Sequence, residues 1–205
     1  TIFFLSGDNG GKAYFATKDR PHGFFAPNLN PETGKRFRAG KGSLYEGGLK
    51  VPYLVRWPKK IKPGSVSNHL FYYPDIMPTL AELTDATCPK TDGISFLPTL
   101  LSKGRQANHA HMYWDLGRQR AVRKGDWKAY RDKKGTWELY DLSIDIEEQI
   151  DLADKKEKML QDLIALAESS HQPARLGEIL NQALVDKDRR EAPHDRNLQY
   201  KQPRK

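Results

Sequence analysis

Two short segments of this sequence carry side chains that could do chemistry together. The first is Ser6-Gly7-Asp8-Asn9-Gly10-Gly11, which follows the apolar run Thr1-Ile2-Phe3-Phe4-Leu5. Asp8 offers a carboxylate and Asn9 an amide carbonyl, both hard oxygen ligands of the kind that calcium and magnesium take. They stand at the C-terminal end of a predicted strand, where open α/β sheets place their active sites. The flanking glycines permit a bend sharp enough to aim both oxygens at one point. Asp-Asn-Gly is also an ordinary turn, and on these residues alone both readings stay open. The second segment is Lys41-Gly42-Ser43-Leu44-Tyr45-Glu46-Gly47-Gly48. A lysine in a glycine-rich loop suits a tetrahedral oxyanion, because its ammonium is a compact charge with three donors. A solvated loop lysine is the plainer alternative.

Other candidates carry less. Of the six histidines only His109 and His111 are close in sequence. On a strand that spacing puts them on one face, but a pair without a third ligand does not make a metal site. The single cysteine, Cys88, excludes an internal disulfide framework and any multi-thiolate zinc site. The net charge of +8 is unevenly spread. Residues 103–134 hold ten Lys and Arg against three Asp and Glu, whereas residues 138–170 hold three against ten. The basic cluster steers anions without choosing one. With no nucleic-acid reader module and no continuous basic run, nucleic acid is not an expected partner. No apolar run approaches the roughly 20 residues that a membrane span needs.

Elements must hold these residues in place. The chain has 205 residues, and its four Trp, nine Tyr and eight Phe are too many for wholesale disorder. Thr1–Leu5 reads as a buried strand that begins without Met or signal-peptide features, which predicts the later part of a longer protein and leaves the compartment unread. Residues 12–40 read as a long irregular excursion. A second strand is expected over Val51–Trp57, with Pro52 favouring its entry. Asp75 opens a short helix with Ile76, Leu80 and Leu83 on one stripe and Pro78 in the tolerant first turn. A further helical piece covers Phe96–Leu101. Closely spaced strands follow at His111–Asp115, Gln119–Arg123, Trp127–Arg131 and Trp137–Asp141, an antiparallel meander. The clearest helix is Asp154–Ser169, capped by Asp154, with Leu160, Leu163, Ile164 and Ala167 facing the meander. After His171 the periodicity fails, so 186–205 reads as a peripheral tail. There is no internal repeat.

Taken in order, these segments resemble the second half of the formylglycine-dependent (type I) sulfatases of the alkaline-phosphatase-like superfamily. In that family a strand ends in Ser/Thr-x-Asp-Asn-Gly, and a later Lys-Gly-x-x-x-Glu-Gly-Gly-x-Arg/Lys-Val-Pro run feeds the next strand. The matching text here is Leu5 to Gly10 and Lys41 to Pro52, with Lys50 where Arg is commoner. Asp75-Ile76-Met77-Pro78-Thr79-Leu80, Asp92 to Pro98, Ala121 to Lys128, and Glu138 to Leu142 with Asp145, Glu148 and Leu152-Ala153 extend the match to about Pro173.

The resemblance implies an α/β fold, α+β as a fragment. Residues 1–105 would be the C-terminal part of the α/β sandwich and 106–172 a small four-stranded antiparallel sheet with its packed helix, followed by a polar basic tail, 173–205. It implies that Asp8 and Asn9 are ligands of a divalent cation, usually Ca²⁺, and that Lys41 is both catalytic and sulfate-binding. His111, Trp114 and Arg118 would be substrate contacts on the pocket rim, with cross-strand packing for Trp114 and solvation for the other two as plainer alternatives. The intact enzyme would hydrolyse a sulfate ester, of a sulfated carbohydrate or small molecule, through a formylglycine hydrate. That residue matures from Cys/Ser-x-Pro/Ala-x-Arg, which neither Cys88-Pro89-Lys90-Thr91-Asp92 nor any Ser supplies, so it is expected in the preceding half. This chain alone is therefore expected to be inactive and to bind Ca²⁺ weakly or not at all, having few of the six to eight oxygens the ion prefers. Family resemblance implies a periplasmic, secreted or lysosomal setting. The rival readings are a phosphodiesterase or phosphonate hydrolase of the same superfamily, and a non-catalytic binding module. An exposed opening strand predicts self-association.

Overall fold

The computed structural model of the chain describes residues 1–11 and 28–173, with Ala183 and Lys187 beyond them. Thr1–Ser170 forms one compact unit and His171–Lys205 a second. Most of the expected irregular stretch and nearly all of the expected tail lie outside the described residues.

Phe3–Ser6 forms β1 and pairs antiparallel with β2, Tyr53–Arg56, setting Phe3 opposite Arg56 and Leu5 opposite Leu54. Side chains alternate across the pleat. On one face Phe4 and Tyr53 meet Phe71 and Phe96, with Tyr53 and Phe71 ring centres 4.5 Å apart and those of Phe71 and Phe96 4.8 Å apart. The other face presents Phe3, Leu5 and Leu54, which are 54%, 66% and 62% exposed. The opening strand, expected to be buried, is thus covered on one face only by the described residues.

Between the two strands lies α1, the single turn Glu46–Leu49. After β2, a 3-10 turn at Tyr73–Asp75 leads directly into α2, Ile76–Thr84. Pro74 and Pro78 fall in first turns, where no intrahelical donor is needed. Of the apolar stripe expected on α2, Ile76 and Leu83 are only half-buried and Leu80 is 38% exposed, whereas Asp75 and Thr79 are fully buried. Hydrogen bonding is the reason. The Asp75 carboxylate accepts the Tyr72 amide at 3.0 Å and the Ile94 amide at 2.7 Å, and pairs with His109 Nε2 at 2.8 Å. Thr79 Oγ1 donates to the Asp75 carbonyl and accepts the Phe96 amide at 2.9 Å. Loop amides that would otherwise be stranded in the interior draw the polar side of α2 inward. The short α3, Leu97–Leu101, follows.

The meander is present as read: β3 (Met112–Leu116), β4 (Gln119–Lys124), β5 (Trp127–Arg131) and β6 (Trp137–Asp141) pair antiparallel in sequence order. Gly117 and Gly125 turn the first two hairpins at φ of +64° and +59°, where a Cβ is strained. On one face Val122, Ala129 and Leu139 pack against Leu160, Leu163 and Ala167 of α4, Glu157–Ser170. That helix starts three residues later than expected. The Lys155 and Lys156 amides both donate to the Leu152 carbonyl, which makes a separate turn, and Asp151 rather than Asp154 accepts the amides of Leu139 and Ala153 at that corner. On the opposite face Ala121, Tyr130, Tyr140 and Leu142 cover Leu44 and Tyr45. The sheet is therefore sandwiched between α4 and the loop that bears Lys41.

Candidate active site

The turn after β1 is held at four points. Ser6 Oγ donates to the Pro52 carbonyl at 3.1 Å, the Tyr73 hydroxyl donates to the Gly7 carbonyl, the Gly10 amide donates to Gly48 O at 2.9 Å, and Gly11 O accepts the Lys41 amide at 3.3 Å. Gly10 must be glycine for this docking, since a Cβ there would lie 1.7 Å from the Gly47 carbonyl oxygen. The last two bonds bring the acid–amide turn against the lysine loop. Asn9 is two residues from Gly11, so chain geometry keeps its Cα within about 15 Å of that of Lys41. Asp8 and Lys41 are exposed and Asn9 is half-buried, so all three side chains are open to a ligand.

The sheet holds the lysine loop from the other side. Gln119 Nε2 donates to the Gly42 carbonyl at 3.1 Å, and Gln119 Oε1 accepts the Tyr130 hydroxyl at 2.9 Å. Five residues on, Glu46 enters the interior at 4% exposure. Lys128 Nζ donates to Glu46 Oε1 at 2.8 Å and stands 2.8 Å from Glu148 Oε1, with Lys128 and Glu148 both fully buried. Glu148 Oε2 accepts the Glu46 amide at 2.6 Å, and Arg123 reaches Glu46 Oε2 at 3.8 Å. Burial pushes the Glu46 carboxyl up, yet Lys128, Arg123 and Lys50 together hold it below its ordinary range. For Glu148 burial wins, with the Glu46 charge adding to it, and the carboxyl is raised despite Lys128.

A second knot surrounds Tyr45. The Arg38 guanidinium lies 4.0 Å from the centre of the Tyr45 ring, donates to the Tyr140 hydroxyl and forms a 3.4 Å ion pair with Glu138. The hydroxyls of Tyr45 and Tyr140 both donate to Glu138 Oε2. Burial first, then the hydrogen bond to Glu138 and its charge, push both phenols far above their usual range, so they are donors at any working pH.

The residues singled out from sequence do not all fall together. Asp8, Asn9 and Lys41 belong to two segments bonded to each other. Trp114 lies on the sheet face that covers Leu44 and Tyr45, with its ring edge-on to Tyr72 at 6.1 Å. Arg118 is exposed in the β3–β4 turn, one residue before Gln119 and so at the sheet end that meets Gly42. His111 is on the other face, with Nε2 2.8 Å from Ser170 Oγ on α4. His109 is bound to Asp75, so the two histidines do not act as a pair. Asp8, Lys50, Trp114 and Arg123 line a broad cleft of about 1900 Å³, whose lining does not include Lys41. That volume exceeds the several hundred Å³ of an ordinary small-molecule pocket. Gln119, Glu46, Lys128 and Glu148 went without roles in the sequence reading. The last three lie inside matched segments, and a buried partner for each was the signal missing from one dimension.

Asp8 and Asn9 fit a calcium ion in kind but not in number. Among the described residues no group of three or more His, Cys, Asp or Glu is placed to hold a metal. Glu46, the next carboxylate of the cleft, is committed to Lys128 and Arg123. No helix among the described residues is long and apolar enough to cross a membrane.

Comparison with known proteins agrees with this architecture. Residues 35–171 match the family model described as N-sulphoglucosamine sulphohydrolase, C-terminal. The chain is 47% identical over 72 residues to an ulvan-active sulfatase of Formosa agariphila, covering 35% of this chain and 14% of that protein. It is 30% identical over 188 residues to an N-acetylgalactosamine-6-O-sulfatase of Bacteroides thetaiotaomicron, covering 82% of this chain and 36% of that protein. The crystal structure of Ps i-CgsB in complex with k-i-k-neocarrahexaose superposes with a TM-score of 0.66 at 25% identity, over 98% of this chain and 43% of that one. The chain thus spans less than half the length of these relatives. With the family matched over more than half of its residues and the fold shared, the chain belongs to the N-sulphoglucosamine sulphohydrolase C-terminal family and corresponds to the C-terminal part of a sulfatase of the alkaline-phosphatase-like superfamily.

Proposed function

We propose that this chain forms one wall of a sulfate-ester hydrolase site that acts on a sulfated carbohydrate. The observation that carries the reading is the docking of the Asp8-Asn9 turn onto the Lys41 loop through Gly10–Gly48 and Gly11–Lys41. It sets a hard-oxygen pair beside a free-standing ammonium, the combination that a charged tetrahedral group needs. The relatives named ulvan-active sulfatase and N-acetylgalactosamine-6-O-sulfatase, and the neighbour in complex with k-i-k-neocarrahexaose, support the substrate class.

In this reading Lys41 binds the sulfate and stabilises negative charge that develops on the ester oxygen as the S–O bond breaks. Asp8 and Asn9 hold a divalent cation, Ca²⁺, together with ligands from outside this chain; such an ion supplies Lewis-acid polarisation of the sulfate oxygens. Gly10 lets the acid–amide turn dock on Gly47 and Gly48, and Gly42, at φ of +85°, lets the lysine loop turn; the sulfate would sit between the two segments. Trp114 and Arg118 flank it from the sheet, and His111, on the α4 face, is left out of the substrate contacts. The division into catalytic residues 1–105 and subdomain 106–172 belongs to the same proposal, as does a periplasmic, secreted or lysosomal setting. The nucleophile comes from a formylglycine outside this chain, so the chain alone is inactive.

Inorganic sulfate titrated into the ¹⁵N-labelled chain tests this directly. The Lys41 and Gly42 amides are expected to shift with sulfate and to lose the response in Lys41→Met, while the purified chain hydrolyses no aryl sulfate. Turnover by the chain, or a sulfate response confined to other cations, would overturn the reading. Self-association through the exposed Phe3, Leu5 and Leu54 face is part of the proposal too; a concentration-independent monomeric elution would remove it.

A further inference from the structure

A buried glutamine is costly unless its amide is paired, and Gln119 is only 4% exposed. Its two polar ends go to different places. A carbonyl only accepts, so the Gly42 oxygen requires Nε2 on its side and leaves Oε1 to accept the Tyr130 hydroxyl within the sheet. Among the described residues Nε2 donates to the carbonyl of Gly42, seventy-seven positions away in sequence and next to Lys41. Gly42 sits at φ of +85°, in a stretch that belongs to no helix or strand, and the Lys41 amide bond to Gly11 is long at 3.3 Å. The 42–43 peptide is thus held at both ends, its amide by the local turn through Ser43 N to Gly40 O at 3.1 Å and its carbonyl by Gln119 from the subdomain sheet, and the second bond ties the Lys41 loop to that sheet.

We infer that Gln119 is a positioning residue for Lys41: its amide, anchored by the Tyr130 hydroxyl, helps to fix the loop from which the sulfate-binding ammonium projects. The inference rests on the sulfate role proposed for Lys41, but its structural half can be measured without it. The antiparallel sheet then serves the site as well as the core, because β4 and β5 supply the relay that ends at Gly42.

The experiment uses the ¹⁵N-labelled 205-residue chain and inorganic sulfate, with Gln119→Met, Tyr130→Phe, Lys41→Met and Leu163→Ala. Gln119→Met keeps the volume and removes the donor. Amide exchange at Lys41 is expected to speed at least threefold, and the sulfate affinity read at Lys41 and Gly42 to fall three- to tenfold, the worth of one buried hydrogen bond. Tyr130→Phe moves both readouts the same way by less. Leu163→Ala, on the α4 face, lowers the urea midpoint and leaves both unchanged, which a general loss of stability in Gln119→Met would not allow. Unchanged Lys41 exchange and sulfate affinity in a folded Gln119→Met protein overturn the inference. Should Gln119→Met not fold, Tyr130→Phe decides by the same two readouts. If the unaltered chain shows no sulfate response at Lys41, the functional reading fails while the exchange data still decide the positioning role.

Discussion

Lys128→Met probes the most heavily buried charge cluster among the described residues. The ammonium is fully buried with two carboxylates at 2.8 Å, and Arg123, which reaches Glu46 at 3.8 Å, is shared with Asp126 at 3.9 Å. Removing one member of a buried ion pair costs about 3–5 kcal/mol, because the partner is left charged in a poor solvent. Here two carboxylates are left, facing each other. With a urea dependence of about 2 kcal/mol per M for a small protein, the midpoint should fall by about 1.5–2.5 M. The pH dependence carries a sharper signature. In the native chain the lowered Glu46 stabilises the fold above its unfolded value of 4.5 and loses that contribution as pH falls through its depressed folded value. The raised Glu148 does the reverse: its contribution is complete below 4.5 and is lost as pH rises through its elevated value. Without Lys128 both carboxyls lose their main lowering influence and hold protons more tightly when folded than when unfolded. The deficit of the variant should therefore be largest near neutrality and shrink as pH falls toward 4.5 and below. Adding Glu148→Leu removes the repulsion and leaves Glu46 with Arg123, so Lys128→Met/Glu148→Leu should be more stable than Lys128→Met alone. A single-variant loss under about 1 kcal/mol, a deficit that grows on acidification, or a double variant worse than the single would refute this account.

Three further outcomes follow from the same geometry. Asp75→Asn sets an amide donor among the Tyr72 amide, the Ile94 amide and His109, and should cost about 2–3 kcal/mol by urea denaturation; a loss under about 0.5 kcal/mol would show that the knot contributes little. Gly10→Ala places a Cβ 1.7 Å from the Gly47 oxygen, and should lose at least about 3 kcal/mol together with the amide protection of Gly10 and Lys41; retained protection would mean that the turn does not dock as described. Leu163→Ala, at 1% exposure between α4 and the sheet, should cost about 2–5 kcal/mol with helical circular dichroism kept at low temperature; a near-neutral result would contradict the packing of α4.

Period-two alternation and glycine turns were enough to read the meander from the sequence, because each antiparallel hairpin is local and its register follows from the turn. The stripe Leu160, Leu163 and Ala167 likewise announced a helix packed on that sheet. The segments bearing Asp8, Asn9 and Lys41 stood out by their flanking glycines and their order, and the fold docks the two through Gly10–Gly48 and Gly11–Lys41. Their partners were not legible. Gln119 reaches Gly42, Lys128 reaches Glu46, and His109 reaches Asp75 across 77, 82 and 34 positions respectively. A polar residue on a strand reads as solvent-facing until its acceptor is known. The start of α4 and the buried side of α2 shifted for the same reason: Asp151, Asp75 and Thr79 answer amides from distant loops, and only the folded chain shows which amides need them. Local periodicity decides which segments become strands and helices, whereas the satisfaction of buried polar groups is a tertiary matter, decided when the chain closes on itself.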